Sequence, residues 1–308
     1  MGTFMNSSEH LKVDENIFLH IRDWGRGETI VFIPGWPFGH EMFEYQFNRI
    51  PQQGYRCIGI SMRGFGRSSQ PWGEYTYDVF ADDLHTVLNS LNLNNVTLVG
   101  FSMGGATAIR YMARHKGDRV SNLVLCGAAA PTFTRRADFP FGLQTGAVDR
   151  LIELCRSDRA RLTAEFGRNF FKDSAAVSPE LSDWFRTLAM EASPQATAAC
   201  LATLRDSDLR QDLKSITVPT MILHGMHDRV CPIELAENMT AAIDPMPTGA
   251  KGMAAGEDLA VSGICGAKLI RFENSGHALF YEERDRFNSE LVNFIEKRSC
   301  NDKTFFPL

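Results

Sequence analysis

The stretch LVGFSMGG, residues 98–105, sets a serine between glycines directly after residues that read as the end of a buried strand. A serine in that position has two readings: a turn former, or a nucleophile held up for attack. Gly100-Phe101-Ser102-Met103-Gly104 matches the pattern G-x-S-x-G, whose physics is a sharp turn from strand into helix. The glycines let strand and helix approach closely. The serine sits in strained backbone and presents its hydroxyl at the carboxyl edge of the sheet. The next amide, that of Met103, opens a helix, and a helix N-terminus favours developing negative charge.

Outward from this turn, short apolar runs alternate with amphipathic stretches. Residues 29–34 (TIVFIP), 55–61 (YRCIGIS), 96–100 (VTLVG), 120–130 (VSNLVLCGAAA), 218–225 (VPTMILHG) and 267–274 (AKLIRFEN) read as strands. GHEMFEYQFNRIPQQG, TYDVFADDLHTVLNSLN, MGGATAIRYMARHKG and RFNSELVNFIEKRS carry apolar residues at helical spacing. Strands buried on both faces, with helical crossovers between them, predict an α/β fold with a doubly wound, mostly parallel sheet. Residues 131–215 hold no convincing strand but many aromatics, and read as a helical cap inserted after the sixth strand of such a fold. The core is then residues 1–130 and 216–308. Residues 245–266, rich in Gly, Ala and Pro, read as an insertion loop, and both tails as frayed.

The bulk numbers narrow the class. A chain of 308 residues, 44% apolar and 22% charged, buries a core without a disulfide or metal staple. A net charge of −5 with no concentrated basic stretch argues against nucleic-acid binding. Seven cysteines without a CxxC pair suit a reducing compartment and offer no zinc spacing. The N-terminal residues lack the apolar run of a signal peptide, and no run of about 18 apolar residues would span a membrane. A cytoplasmic protein is expected, with no membrane partner and no metal or other cofactor; homo-oligomerisation stays open.

A serine is a poor nucleophile without a base, and the base needs a third group to orient it. In this fold class the three follow in chain order Ser, acid, His. LHGMHDRVCP places Asp228 just after a strand end, and ENSGHALFYEER places His277 just after the last strand, so both fall on the rim that carries Ser102. The expected catalytic set is Ser102, Asp228 and His277. His224 and His227 flank the acid and read as a packing and a loop residue. For the oxyanion, the backbone N–H groups of Met103 and Trp36 are the candidate donors, Trp36 lying in the loop after an early strand; its indole could equally be core. Trp36, Phe101, Phe133, Phe166, Phe170 and Trp184 are candidate walls of an apolar substrate pocket, or else an ordinary small core under the cap.

On these stretches, together with FIPGWPFGHEMFEYQ, RGFGRSSQPW and YDVFADDL, the chain resembles the α/β-hydrolase fold and, within it, the cofactor-free haloperoxidase, aryl esterase and perhydrolase group. The resemblance implies the same three catalytic residues and two amides, no metal or haem, and hydrolysis of small, often aromatic, esters. Pro37 after Trp36 matches members that favour hydrogen peroxide over water as acyl acceptor. Pro34 stands where the group has histidine, and Ser61-Met62 where it has Asp-Arg; both bear on substrate class more than on reaction type. A lactonase, a C–C hydrolase and a non-catalytic small-ligand binding module are the competing readings.

Overall fold

The computed structural model describes residues 9–173, 177–243 and 266–303. Eight strands form one sheet: β1 (His10–Asp14), β2 (Ile17–Gly25), β3 (Glu28–Ile33), β4 (Tyr55–Ile60), β5 (Val96–Phe101), β6 (Val120–Cys126), β7 (Thr220–Gly225) and β8 (Ala267–Phe272). Their order across the sheet is β1-β2-β4-β3-β5-β6-β7-β8. The pairs β1/β2 and β2/β4 are antiparallel, and every other neighbouring pair is parallel. The helices are α1 (Glu44–Phe47), α2 (Tyr77–Ser90), α3 (Met103–Arg114), α4 (Thr145–Ser157), α5 (Arg159–Phe170), α6 (Pro179–Met190), α7 (Pro194–Asp206), α8 (Ile233–Ile243), α9 (Leu279–Glu282) and α10 (Arg284–Lys303).

The period of two along the strands builds two cores, one on each face of the sheet. Val31 and Ile33, Leu98, and Leu123 and Leu125 face one side, where Phe80 and Leu84 of α2, Ile109 of α3 and Leu235 and Met239 of α8 cover them. Ile30 and Phe32, Val99 and Phe101, and Val124 and Cys126 face the other, against Phe43, Phe47 of α1, Phe280 of α9 and Phe287 and Leu291 of α10. A strand covered on both faces has no polar side to show, which is why these segments read as unbroken apolar runs.

Two departures from the sequence reading have local causes. First, β1 and β2 lie outside the runs read as strands. β1 sits at the sheet edge with one face to solvent, so its apolar residues alternate with polar ones, and Asn16 turns the hairpin with φ +61°. Second, the helix expected over residues 39–54 is broken into a 3-10 turn (His40–Phe43), the single turn α1 and a second 3-10 turn (Pro51–Gln53). Pro51 has no N–H to extend an α ladder, and the chain tightens to short-range bonds, Arg49 N–H to Gln46 O (3.1 Å) and Gln53 N–H to Ile50 O (3.0 Å).

Between β6 and β7 the chain makes the four helices α4–α7, within the stretch read as a cap. Two of them start on Ser-Pro: the side chains of Ser178 and Ser193 accept N–H bonds from Leu181 (3.2 Å) and Ala196 (3.3 Å), with Pro179 and Pro194 at the first helical position. Apart from Gly266, the stretch 245–266 lies outside the described residues, as do the ends of both tails. Among the described residues no helix is long and apolar enough to cross a membrane.

Candidate active site

β5 runs straight into α3 through Ser102, whose backbone takes φ +52°, ψ −118°, a conformation that costs an L-residue roughly 1–3 kcal/mol and persists only where its surroundings over-determine it. Those surroundings are tight. A Cβ on Gly100 would stand 2.5 Å from Gly104 O, and one on Gly104 would stand 2.4 Å from Ile33 O. Only hydrogen fits at either place, so the glycines on both sides of the serine are demanded by the approach of α3 to β5 and β3. The Ser102 N–H bonds Cys126 O (2.9 Å), and its C=O accepts from Gly105 (3.0 Å) and Ala129 (3.0 Å). The Met103 amide is the first of α3, where N–H groups have no acceptor within the helix.

Asp228 follows the carboxyl end of β7, and His277 that of β8. Their side chains are fully buried and joined by a hydrogen bond of 2.6 Å from His277 Nδ1 to Asp228 Oδ2. The other carboxylate oxygen, Oδ1, accepts the N–H groups of Val230 (2.8 Å) and Cys231 (2.8 Å). His224 Nε2 lies 3.5 Å from Oδ2 and bonds Cys231 O at 2.8 Å. Burial alone would raise the Asp228 carboxyl; the His277 charge and hydrogen bond, with His224 and the Cys231 amide, outweigh it and hold the group below the usual carboxylate range. Burial pushes the His224 imidazole down, so it stands as a neutral ring beside an anion.

The far nitrogen of His277, Nε2, is buried and has no hydrogen-bond partner. The Ser102 hydroxyl, 6% exposed as a residue, is within hydrogen-bonding reach of the Cys231 thiol instead, a thiol that burial raises well above its ordinary value. The structure thus joins acid to histidine, and it places the serine on the same rim without closing the last bond. Catalytic contacts in ligand-free enzymes are often open in this way.

Trp36 is buried in the loop after β3. Its indole N–H donates to Thr197 O of α7 (3.0 Å), and its ring meets Phe166 edge-on at 5.2 Å. Replacing Trp36 by Phe removes that second donor, while Thr197 O keeps its place in the α7 ladder. A loss of about 0.5–1.5 kcal/mol is expected, read from the urea midpoint at unchanged slope.

The other aromatics named from the sequence are spread more widely. Phe101 packs on the His277 ring at 4.7 Å between centroids, and Phe170 at 5.7 Å. Phe166 and Phe170, with Phe38, Phe171 and Phe185, line a cavity of about 210 Å³ between α5 and α6. Neither Ser102 nor His277 borders that cavity; Phe170 stands between, one side on the histidine and the other on the cavity. Phe133 lies in the core on the α2/α3 side of the sheet, and Trp184 stacks edge-on with Phe185 at 4.9 Å. Phe185 belongs to the aromatic stretch read from sequence as a pocket wall, whereas Phe38 was not singled out. Phe38 is two residues from Trp36 in the same loop, which was the available signal.

A mostly parallel eight-stranded sheet, a serine elbow on its fifth strand and an Asp–His pair beyond the last two strands place this chain in a known class. It belongs to the α/β-hydrolase fold family, whose model matches residues 28–284. It is 44% identical to the AB hydrolase superfamily protein YisY of Bacillus subtilis (strain 168), over 92% of this chain and 98% of that protein. Among solved structures it is similar to the esterase EaEST from Exiguobacterium antarcticum (TM-score 0.82, 40% identity, 91% of this chain and 96% of that one). It is also similar to a bromoperoxidase from Bacillus anthracis (TM-score 0.83, 32% identity, 93% and 99%).

Proposed function

We propose that the protein is a serine hydrolase of small carboxylic esters, aryl esters among them, working through an acyl-enzyme. The observation that carries the reading is the buried Asp228–His277 bond, which leaves Nε2 without a partner at the rim that presents Ser102. Rotation of the Ser102 hydroxyl from Cys231 toward Nε2 completes the relay. His277 takes the proton as Ser102 attacks the ester carbonyl, and Asp228 stabilises the imidazolium. The amides of Met103 and Trp36 hold the oxyanion, an arrangement in which one donor is worth about 3–4 kcal/mol. The alcohol leaves with the proton from His277. Water, or hydrogen peroxide, then attacks the acyl group and releases acid or peracid. A lactone is a cyclic ester and meets the same groups.

The support from relatives is of one kind: similarity to an esterase and to a bromoperoxidase, one of which is named for ester cleavage and the other for halide oxidation. A peracid made from peroxide and an acyl-enzyme would join the two activities without a second site.

A kinetic panel of aryl acetates, lactones and acetic acid with peroxide tests the proposal. Aryl acetates should release phenol in a burst equal to the enzyme present, followed by slower turnover, which is the mark of an acyl-enzyme. Absence of turnover on every ester and lactone overturns it, and tight binding of a small ligand by that inert protein would favour a binding module.

A further inference from the structure

We propose that His20, His40 and Glu41 form a second site, for a divalent first-row metal ion with zinc as the test case, lying beneath the loop that carries Trp36. His20 comes from β2, and His40 and Glu41 from the 3-10 turn that follows that loop. One ligand atom from each lies within 4.8 Å of the others. His20 Nδ1 is 3.4 Å from Glu41 Oε1, and His40 Nε2 is 3.9 Å from the same oxygen. Two imidazole nitrogens and a carboxylate oxygen at zinc-bond length stand about 3.3–3.4 Å apart around a tetrahedral ion. Of the three spacings, one already meets that value, a second needs about half an ångström of closure, and the nitrogen–nitrogen one lies within 4.8 Å.

The surroundings are those of a built site. Both histidines are buried, at 0% and 3% exposure. His20 Nδ1, His20 Nε2, His40 Nε2 and Glu41 Oε1 are buried without a hydrogen-bond partner. Buried polar groups are nearly always paired; three of these atoms, His20 Nδ1, His40 Nε2 and Glu41 Oε1, face one another, and beyond the 3.4 Å approach of His20 Nδ1 to Glu41 Oε1 a shared cation would satisfy them. Ser61 fixes the tautomer of His40: its Oγ lies 2.9 Å from His40 Nδ1, accepts the His40 backbone N–H at 3.1 Å, and donates toward Glu41 Oε2 at 3.5 Å. With its lone pairs engaged by His40, Ser61 makes Nδ1 the protonated nitrogen and leaves the Nε2 lone pair facing Glu41. On the far side of His20, the exposed Glu9 Oε2 lies 3.9 Å from Nε2, close enough for charge but too long for a hydrogen bond. Glu9, Glu41 and Glu191 outnumber Arg22 and Arg67 around the cluster, which favours a cation. Glu41 is partly exposed, leaving a way in and a position for water.

Such an ion would touch no reacting atom. It would tie β2 to the turn after the Trp36 loop, and its effect would be on stability. The test uses the full chain, dialysed against chelator and then against zinc chloride. Metal analysis should find one zinc per chain, and the thermal midpoint should rise with zinc. Cobalt in its place should give the visible bands of a four-coordinate ion. Glu41→Gln, which keeps the shape of the side chain, and His40→Gln should stay folded by circular dichroism and lose the zinc, the midpoint rise and the cobalt bands. Ser61→Ala should weaken zinc binding by about 10–100-fold. His115→Gln, in the stacked His85–His115 pair outside the cluster, should leave zinc binding and the cobalt bands unchanged. Failure of the wild-type chain to retain zinc overturns the proposal, as does zinc retained by a folded Glu41→Gln protein or lost with His115→Gln.

Discussion

Ser102→Ala should give a folded protein whose ester turnover falls by on the order of a millionfold, to the residue left by binding and the oxyanion amides. The substitution removes one oxygen and no packing atom. The strained backbone at φ +52° is set by the closeness of Gly100 and Gly104 to their neighbours, and alanine occupies it no worse than serine. The thermal midpoint should stay within a degree or two, because the hydroxyl lost is engaged at most by the Cys231 thiol, a weak partner. A phosphonate ester that labels the wild-type chain on the Ser102 peptide should leave the variant unmodified. Turnover at about a tenth of the wild-type rate would take Ser102 out of the chemistry.

Asp228→Asn should cost about 10⁴-fold in kcat while leaving the fold in place. The reason is the direction of one hydrogen bond. Val230 and Cys231 both donate to Oδ1, so an asparagine keeps its carbonyl there and turns its NH2 toward His277 Nδ1. That nitrogen must then accept, and the ring proton moves to Nε2, where it blocks removal of the serine proton. The substitution also changes stability with pH, in a sign that can be worked out. The folded carboxyl of Asp228 is depressed, so its contribution is present above the unfolded value of about 3.9 and is lost as pH falls through the folded value. Wild-type melting curves should therefore drop with acid in that window, and those of the variant should drop less. A variant with near-normal kcat would mean that His277 is oriented by something other than Asp228.

Much of this was readable from letters because of where burial falls. Strands covered on both faces become nearly unbroken apolar runs, so β3 through β7 announce themselves, while β8, a half-buried edge strand, shows a shorter one. A turn that tolerates only hydrogen at residues 100 and 104 must spell glycine there, and so Gly-x-Ser-x-Gly marks the elbow. Asp228 and His277 could be placed because each follows a strand end by only a few residues, and parallel strands deliver their carboxyl ends to one rim. The antiparallel strands β1 and β2 were harder: β1, at the sheet edge, shows one face to water and reads as tail. The His20–His40–Glu41 cluster was invisible, since β2 and the turn after the Trp36 loop, whose histidines stand about 20 residues apart in sequence, are brought together by the fold, and no spacing encodes that. The cavity behind Phe170 was likewise out of reach, because a count of aromatics does not say which of them touch. The serine-proline starts of α6 and α7 were legible by capping rules and mark where those helices begin.

The bond from the Trp36 indole to Thr197 joins two regions with different tasks. Trp36 lends its amide to the proposed oxyanion site, while Thr197 belongs to a helix over the sheet. A change that displaces that helix would pull on the loop that offers the proposed oxyanion amide. Its mark would be a fall in kcat with little change in KM.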